Sequence, residues 1–404
     1  MKSKTCFIIF IFSMLNFLTF SQNITTETQK LMASDGEDFN HFGESVSISG
    51  DTVIIGDPMY NNGKGAVYIF EKVNGTWTET AKLLPSDEYY IEYFGFSVSI
   101  SGDTAIIGAP VISGTGSAYI FEKINEVWTQ TAALAVSDGS VNDYFGWSVS
   151  ISGDTAIVGA CNGEFDLINA LGSAYIFEKI NGTWTQTAKL LAGDEAIDNK
   201  FGVSVSVSGN TAIVGDYTDN ENGDASGSAY IFEKVNETWI QTEKLIASDG
   251  VETDYFGYSV SIDEDIAIIG AISDNDNGSS SGSAYIFEKK YGSWNQTAKL
   301  LASDGSSDDL FGVSVSLSGN KVIIGASWYN PSPSNSAYIF EKVNGVWKQR
   351  TKLLASDIST GASLGYSVSI SGNTAIAGAF YNESAYVYDL SLLPFLNIIN
   401  WDKY

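Results

Sequence analysis

Carboxylates gather in two short stretches of this chain: Asp216, Asp219, Glu221 and Asp224 in one, and Asp274 and Asp276 within Asp274-Asn275-Asp276-Asn277-Gly278 in the other. Oxygen-rich loops of this kind suit a hard divalent cation such as Ca2+, which takes six to eight oxygen ligands. Neither stretch has strict ligand spacing, so solvated acidic loops are the competing reading. Aromatic residues form a second candidate group. Tyr89, Tyr90, Tyr217, Trp328 and Tyr329 fall in connections where neighbouring segments have no equivalent. There they either stack on a sugar ring or anchor a partner protein, or they cover the base of their own loops.

Covalent or acid–base chemistry finds little footing. The single histidine, His41, stands where corresponding segments have Tyr93, Tyr144, Lys200, Tyr255 and Leu310, and no serine is marked as its partner. Cys161 likewise stands where others have Pro110 or Ser327. Paired carboxylates for glycoside hydrolysis remain as an alternative, because acids are abundant. The expectation is a protein that is not an enzyme.

These residues are positioned by a repeat. The phrase Phe-Gly-x-Ser-Val-Ser-Ile-Ser-Gly recurs around Gly43, Gly95, Gly146, Gly202, Gly257, Gly312 and Gly365, at intervals of 52, 51, 56, 55, 55 and 53 residues. Each copy continues through an apolar run such as Thr104 to Ala109, a Ser-Ala-Tyr-Ile-Phe-Glu-Lys run, and a run opening on Trp77, Trp128, Trp184, Trp239, Trp294 or Trp347. Four strand-like runs at this period predict an all-β, seven-bladed β-propeller with four antiparallel strands per blade. The last repeat lacks its Trp run, while Thr25 to Leu31 aligns with Trp77 to Leu83. The N-terminal strand is therefore expected to complete the final blade and close the ring.

Outside the ring, Lys2 and Lys4 precede an apolar run from Cys6 to Phe20, so residues 1–21 read as a secretory signal peptide, too short for a comfortable membrane span. The propeller is expected over 22–390, followed by an apolar tail over 391–404 that either packs beneath the ring or begins a linker. Cys161 is then the one remaining thiol, which leaves no intramolecular disulfide.

Because strands alternate in direction, the connections segregate by face. Short Ser-Gly-Asp, Ser-Gly-Asn and Asn-Gly turns belong to one face, and loops of variable length to the other. The loop face holds more than half of the 48 Asp and Glu residues, in a chain of net charge −27. Such a face repels nucleic acid and anionic membrane. It attracts divalent cations or basic proteins, or it serves solubility alone.

The Phe-Gly opening, together with Gly108-Ala109-Pro110 and its echoes Gly56-Asp57-Pro58 and Gly159-Ala160-Cys161, resembles the FG-GAP repeat family. That family includes the seven-bladed propeller of integrin alpha chains and many secreted bacterial proteins. The resemblance implies extracellular recognition or adhesion, with a protein or glycan partner, at the cell surface or after secretion. A monomeric ring is expected, and a structural role in an extracellular assembly is a further alternative. Integrin blades carry an Asp-x-Asp-x-Asp-Gly calcium loop between first and second strands. Here that connection has shrunk to Ser101-Gly102-Asp103 and its equivalents, with Asp263-Glu264-Asp265 the nearest remnant. The family's calcium site is therefore not carried over to those turns.

Overall fold

The computed structural model describes residues 23–86, 92–111, 114–136, 138–161, 172–194, 200–327, 335–357 and 362–393. Seven sheets follow one another along the chain, each with four antiparallel strands paired in the order first, second, third, fourth, and one of them with a further strand at its outer edge. Blade 1 shows the pattern: Ser45–Ser49, Thr52–Asp57, Ala66–Val73 and Thr76–Leu83. The first strands of neighbouring blades lie against each other all round the ring, the last against the first, so they line the axis as inner strands.

Sequence dictates each element directly. Second strands such as Thr104–Ala109 are buried along almost their whole length, as a strand sandwiched between two neighbouring blades must be. Fourth strands such as Thr183–Leu190 alternate exposed and covered residues, as a sheet's outer edge does. Asn74 and Gly75 both take positive φ, which makes the two-residue turn between third and fourth strands match the strand twist.

The apolar core is divided among seven large clusters, each spanning one blade boundary, and one small cluster of Ile272, Leu310 and Val313 near the loop face. At the boundary of blades 7 and 1, Leu31, Ile376 and Val387 meet Phe42, Tyr68, Phe70 and Trp77. The Phe of each Phe-Gly pair packs edge-on against the Tyr and Phe of its own third strand, as Phe201 does on Tyr230 at 5.4 Å and Phe232 at 6.1 Å.

Inner strands are bonded around the axis by serine. In every blade the first serine hydroxyl donates to the Phe-Gly (Leu-Gly in blade 7) carbonyl of the next blade at 2.7–2.9 Å, ending with Ser367 onto Gly43. The second serine accepts the next inner strand's N–H at 3.1–3.2 Å. The third accepts the turn N–H, with Asp263 replacing serine in blade 5. Asp263 thus works as a serine substitute within the belt.

Ring closure departs from the simple expectation in one respect. Gln29–Leu31 does complete blade 7, pairing antiparallel with Ala385–Val387. Ile24–Thr26, however, pairs parallel with Lys352–Leu354 and adds a fifth strand to blade 6. The physical reason is that no hairpin turn ties this strand to its neighbour, so beyond Thr28, which still donates to Val387 O, the chain is free to cross to the adjacent blade.

Close approach at the inner seams makes one glycine irreplaceable in each blade. A Cβ on Gly378 would lie 2.0 Å from the Gly43 carbonyl, whereas one on the turn residue Gly372 would meet nothing within 4 Å. Gly378→Ala is expected to cost more than about 4 kcal/mol and Gly372→Ala about 1 kcal/mol, the latter from its φ of +59° alone. Denaturant melts of the two variants check this, and equal losses would contradict the seam geometry.

Candidate functional site: the loop face and channel mouth

Ten of the loop-face carboxylates belong to a second interblade device. The Asp in the connection leading into a blade meets the Lys on that blade's outer strand: Asp35 with Lys82, Asp138 with Lys189, Asp194 with Lys244, Asp249 with Lys299, Asp304 with Lys352 and Asp357 with Lys30. Each of these ammonium groups also lies 5.0–5.6 Å from the ring of its blade's third-strand Tyr. Hydrogen bonds from Lys82, Lys189 and Lys30 hold Asp35, Asp138 and Asp357 below the ordinary carboxylate range. Blade 2 has Ala133 in place of the lysine, and there the Tyr119 hydroxyl donates to the buried Glu92 at 2.9 Å.

The two acidic stretches belong to the same device. Asp219 and Glu221 contact Lys244 at 3.1 and 3.0 Å, and Asp274 and Asp276 contact Lys299 at 2.8 and 2.7 Å. Asp216 lies apart from Lys244's contacts and accepts from the Lys200 and Thr218 N–H groups and from the Thr218 hydroxyl; burial, opposed mainly by that hydroxyl, pushes its pKa up to about 6. Asp224 stays exposed. Among the described residues no group of three or more His, Cys, Asp or Glu side chains is arranged to hold a metal ion. A lysine ammonium stands among four of the six carboxylates expected to bind Ca2+, Asp219, Glu221, Asp274 and Asp276, and supplies positive charge at that place. Asp38, Glu37, Asp224, Glu252 and Asp308 remain as solvent-facing acids with no ion pair among the described residues.

Of the five aromatic candidates, Tyr89, Tyr90, Trp328 and Tyr329 lie outside the described residues. Tyr217 is half-buried and packs on Tyr255 and Tyr258, each at 5.5 Å between ring centres. It is one part of a larger feature that sequence reading missed. The residue after each Phe-Gly or Leu-Gly pair stands at the loop-face end of an inner strand, around the mouth of the central channel. Phe96, Trp147, Tyr258 and Tyr366 occupy four of these positions and are half-buried. Phe96 packs on Trp147 at 4.7 Å, Tyr366 on Phe380 at 4.8 Å, and Phe380 on Tyr381 at 4.4 Å. The signal was available: this is the one variable letter inside an otherwise fixed phrase.

His41 joins the same rim, 5.0 Å from the Phe380 ring, with Nδ1 2.8 Å from Glu44 Oε2. Burial works against the protonated ring, but the Glu44 hydrogen bond and charge outweigh it and raise its pKa. Its positive φ recurs at Tyr93, Tyr144, Tyr255, Leu310 and Ser363, so its backbone serves a turn repeated in most blades. Cys161 is buried. In blade 1, Asp57 is fully buried and neither carboxyl oxygen has a hydrogen-bond partner. Burial first, then the charge of Glu383, pushes its pKa up to about 8.

A family model described as the FG-GAP repeat matches residues 25–70, 77–121, 128–177, 184–232, 239–287, 294–340 and 347–388. Each matched unit runs from an outer strand to the third strand of the following blade, so it straddles one seam. No curated protein matches the chain. Among solved structures, a chain of the "Crystal Structure of Mitotic Checkpoint Complex" is similar, with a TM-score of 0.59 and 13% identity over 96% of this chain and 99% of that one. At that identity the likeness shows the fold alone.

Two outcomes follow. Melting curves in calcium and in EDTA are expected to superimpose, and a calcium-dependent rise of several degrees would show that the loops hold the ion after all. Asp57 has a folded pKa above its unfolded value, so the stability tied to its proton is present below about pH 4 and lost as pH rises toward about 8. Asp57→Ala, which installs the residue found at Ala109, Ala160 and Ala271, should therefore stabilise by on the order of a few kcal/mol at pH 8 and by much less at pH 4. A pH-independent difference between variant and wild type would refute the buried, protonated carboxyl.

Proposed function

Because the chain belongs to the FG-GAP repeat family, we propose that it is a recognition module that binds an extracellular protein or glycan through the loop face around its channel mouth. The aromatic collar carries this reading. Seven blades share the same serine belt and Phe-Gly packing, yet Phe96, Trp147, Tyr258 and Tyr366 stand at a position where Glu44, Val203 and Val313 serve equally well. The scaffold does not require those rings, and half-buried aromatics on a rigid frame are suited to anchoring a partner.

Charge supports a partner that is basic or neutral. Glu37 and Asp38, beside Phe39, which is 83% exposed, and Glu252 and Asp308 in the loops leading into blades 5 and 6, have no lysine to neutralise them among the described residues. An anionic rim around apolar rings favours cationic side chains, and sugar rings stack on the same aromatic faces. No helix among the described residues is long and apolar enough to cross a membrane. Residues 1–21 read as an export signal, which supports an encounter outside the cell. In this reading the protein binds its partner without turning it over.

Binding to a panel of extracellular matrix proteins and polysaccharides tests the proposal, with Trp147→Ala, Tyr258→Ala and Tyr366→Ala combined in one variant. A loss of affinity of at least about tenfold with an unchanged fold is expected. Retained affinity in the triple variant would move the site off the collar.

A further inference from the structure

Blade 7 is the one blade whose outer strand is cut short. In blade 1 the third strand is paired along its whole length, from Val67 with Leu83 to Val73 with Thr76, whereas in blade 7 only Ala385–Val387 has an outer partner among the described residues. The N-terminal chain leaves for blade 6 at the point where the other blades continue toward their Trp. That Trp packs in the apolar cluster at the boundary with the preceding blade, as Trp347 does between blades 5 and 6 and Trp77 between blades 7 and 1. The cluster between blades 6 and 7 contains no Trp.

A groove of about 470 Å³ opens at this boundary, with Ile339, Glu341, Val343, Arg350, Leu390 and Leu393 among its walls. Glu341 is also short of its usual partner. In five other seams the third-strand Glu pairs with the third-strand Lys of the next blade, as Glu288 does with Lys342 at 2.8 Å. The corresponding blade 7 residue is Leu390, and Glu341 turns to Arg350 of its own blade at 3.2 Å. Apolar area and the outer edge of a strand are thus left uncovered at the same place.

We propose that this groove is the docking site of the chain's own segment 394–404, with Trp401 taking the place of the missing seventh tryptophan. Leu393, the last described residue, is itself a wall of the groove and packs on the cluster between blades 6 and 7. The segment therefore starts at the site. It reads Pro-Phe-Leu-Asn-Ile-Ile-Asn-Trp-Asp-Lys-Tyr, an apolar stretch with one acid and one base to set against Arg350 and Glu341. The eight residues from Leu393 to Trp401 can reach about 26 Å when extended, ample to return along the open third strand.

Cross-linking tests the placement in the full chain. In a Cys6→Ser, Cys161→Ser background, where serine at the second position follows Ser327 of blade 6, Asn400→Cys is combined with Val343→Cys in the groove wall. The control pairs Asn400→Cys with Val127→Cys, an exposed fourth-strand residue of blade 2. A disulfide within one chain at Val343→Cys, forming at least about tenfold faster than in the control, is expected. Equal rates, or a cross-link between two chains, would overturn the proposal. In parallel, deleting 394–404 should lower the melting temperature by several degrees and raise binding of an apolar dye. Adding a synthetic 394–404 peptide should reverse both changes. A deletion that leaves both readouts unchanged would also overturn it.

Discussion

The ring depends on how closely consecutive inner strands approach. An inner strand is the edge of its sheet, and an edge carries backbone groups that need partners. Here serine supplies them, because its hydroxyl both donates and accepts and is short enough to bridge only backbones that nearly touch. Ser45 reaches Gly95 O at 2.7 Å because Gly56 has no Cβ; one built there would lie 2.0 Å from that same oxygen and 2.3 Å from the serine Oγ. Serine, the Phe-Gly glycine and the glycine of the second strand are therefore one device. The Phe94 ring then seals the same seam from the apolar side.

A second device holds the seams near the loop face, and it changes the meaning of the chain's charge. A net charge of −27 suggests a surface crowded with free carboxylates. In the folded ring, six loop aspartates are paired with outer-strand lysines, and Asp219, Asp274 and Asp276 crowd onto two of those same lysines. Asp254 and Asp309 are buried and accept loop N–H groups from Val251 and Ser306. Exposed pairs of this kind contribute little each. Repeated around the ring on half-covered lysines stacked over tyrosine, they orient each loop against the blade that follows it.

Blade count, strand order, turn positions and the role of the N-terminal strand were legible in the sequence because each rests on local periodicity and on glycines with few conformational alternatives. The lysine–aspartate seams were not read, although Lys82 and Asp35, or Lys299 and Asp249, recur at nearly constant separation. Their partners lie one blade apart, so pairing them requires the handedness of the ring as well as its period. Asp216 and Asp274 looked alike as potential ligands, yet Asp216 is capped by backbone and threonine while Asp274 is met by lysine. Side-chain class alone did not distinguish those fates. The parallel strand Ile24–Thr26 could not be inferred from alignment with Trp77–Leu83, because the alignment carries no information about where an untethered strand crosses to a neighbour.

In the proposed reading, recognition is separated from stability by position. Each FG-GAP unit straddles one seam, supplies the phenylalanine and glycine on one side of it, and supplies the serines and second-strand glycine for the seam that follows, so a repeat that keeps those letters can vary elsewhere without weakening its neighbours. The residue after Phe-Gly is the point where that freedom meets the channel mouth. It is flanked by the most constrained backbone in the ring, yet it ranges from Glu44 and Val203 to Trp147 and Tyr258. A rigid frame fixes each of these side chains in place before any partner arrives, and preorganisation lowers the ordering cost of binding. The same fixed seams that make the sequence monotonous hold seven variable letters at equivalent places around one face, which is what the proposed recognition surface requires.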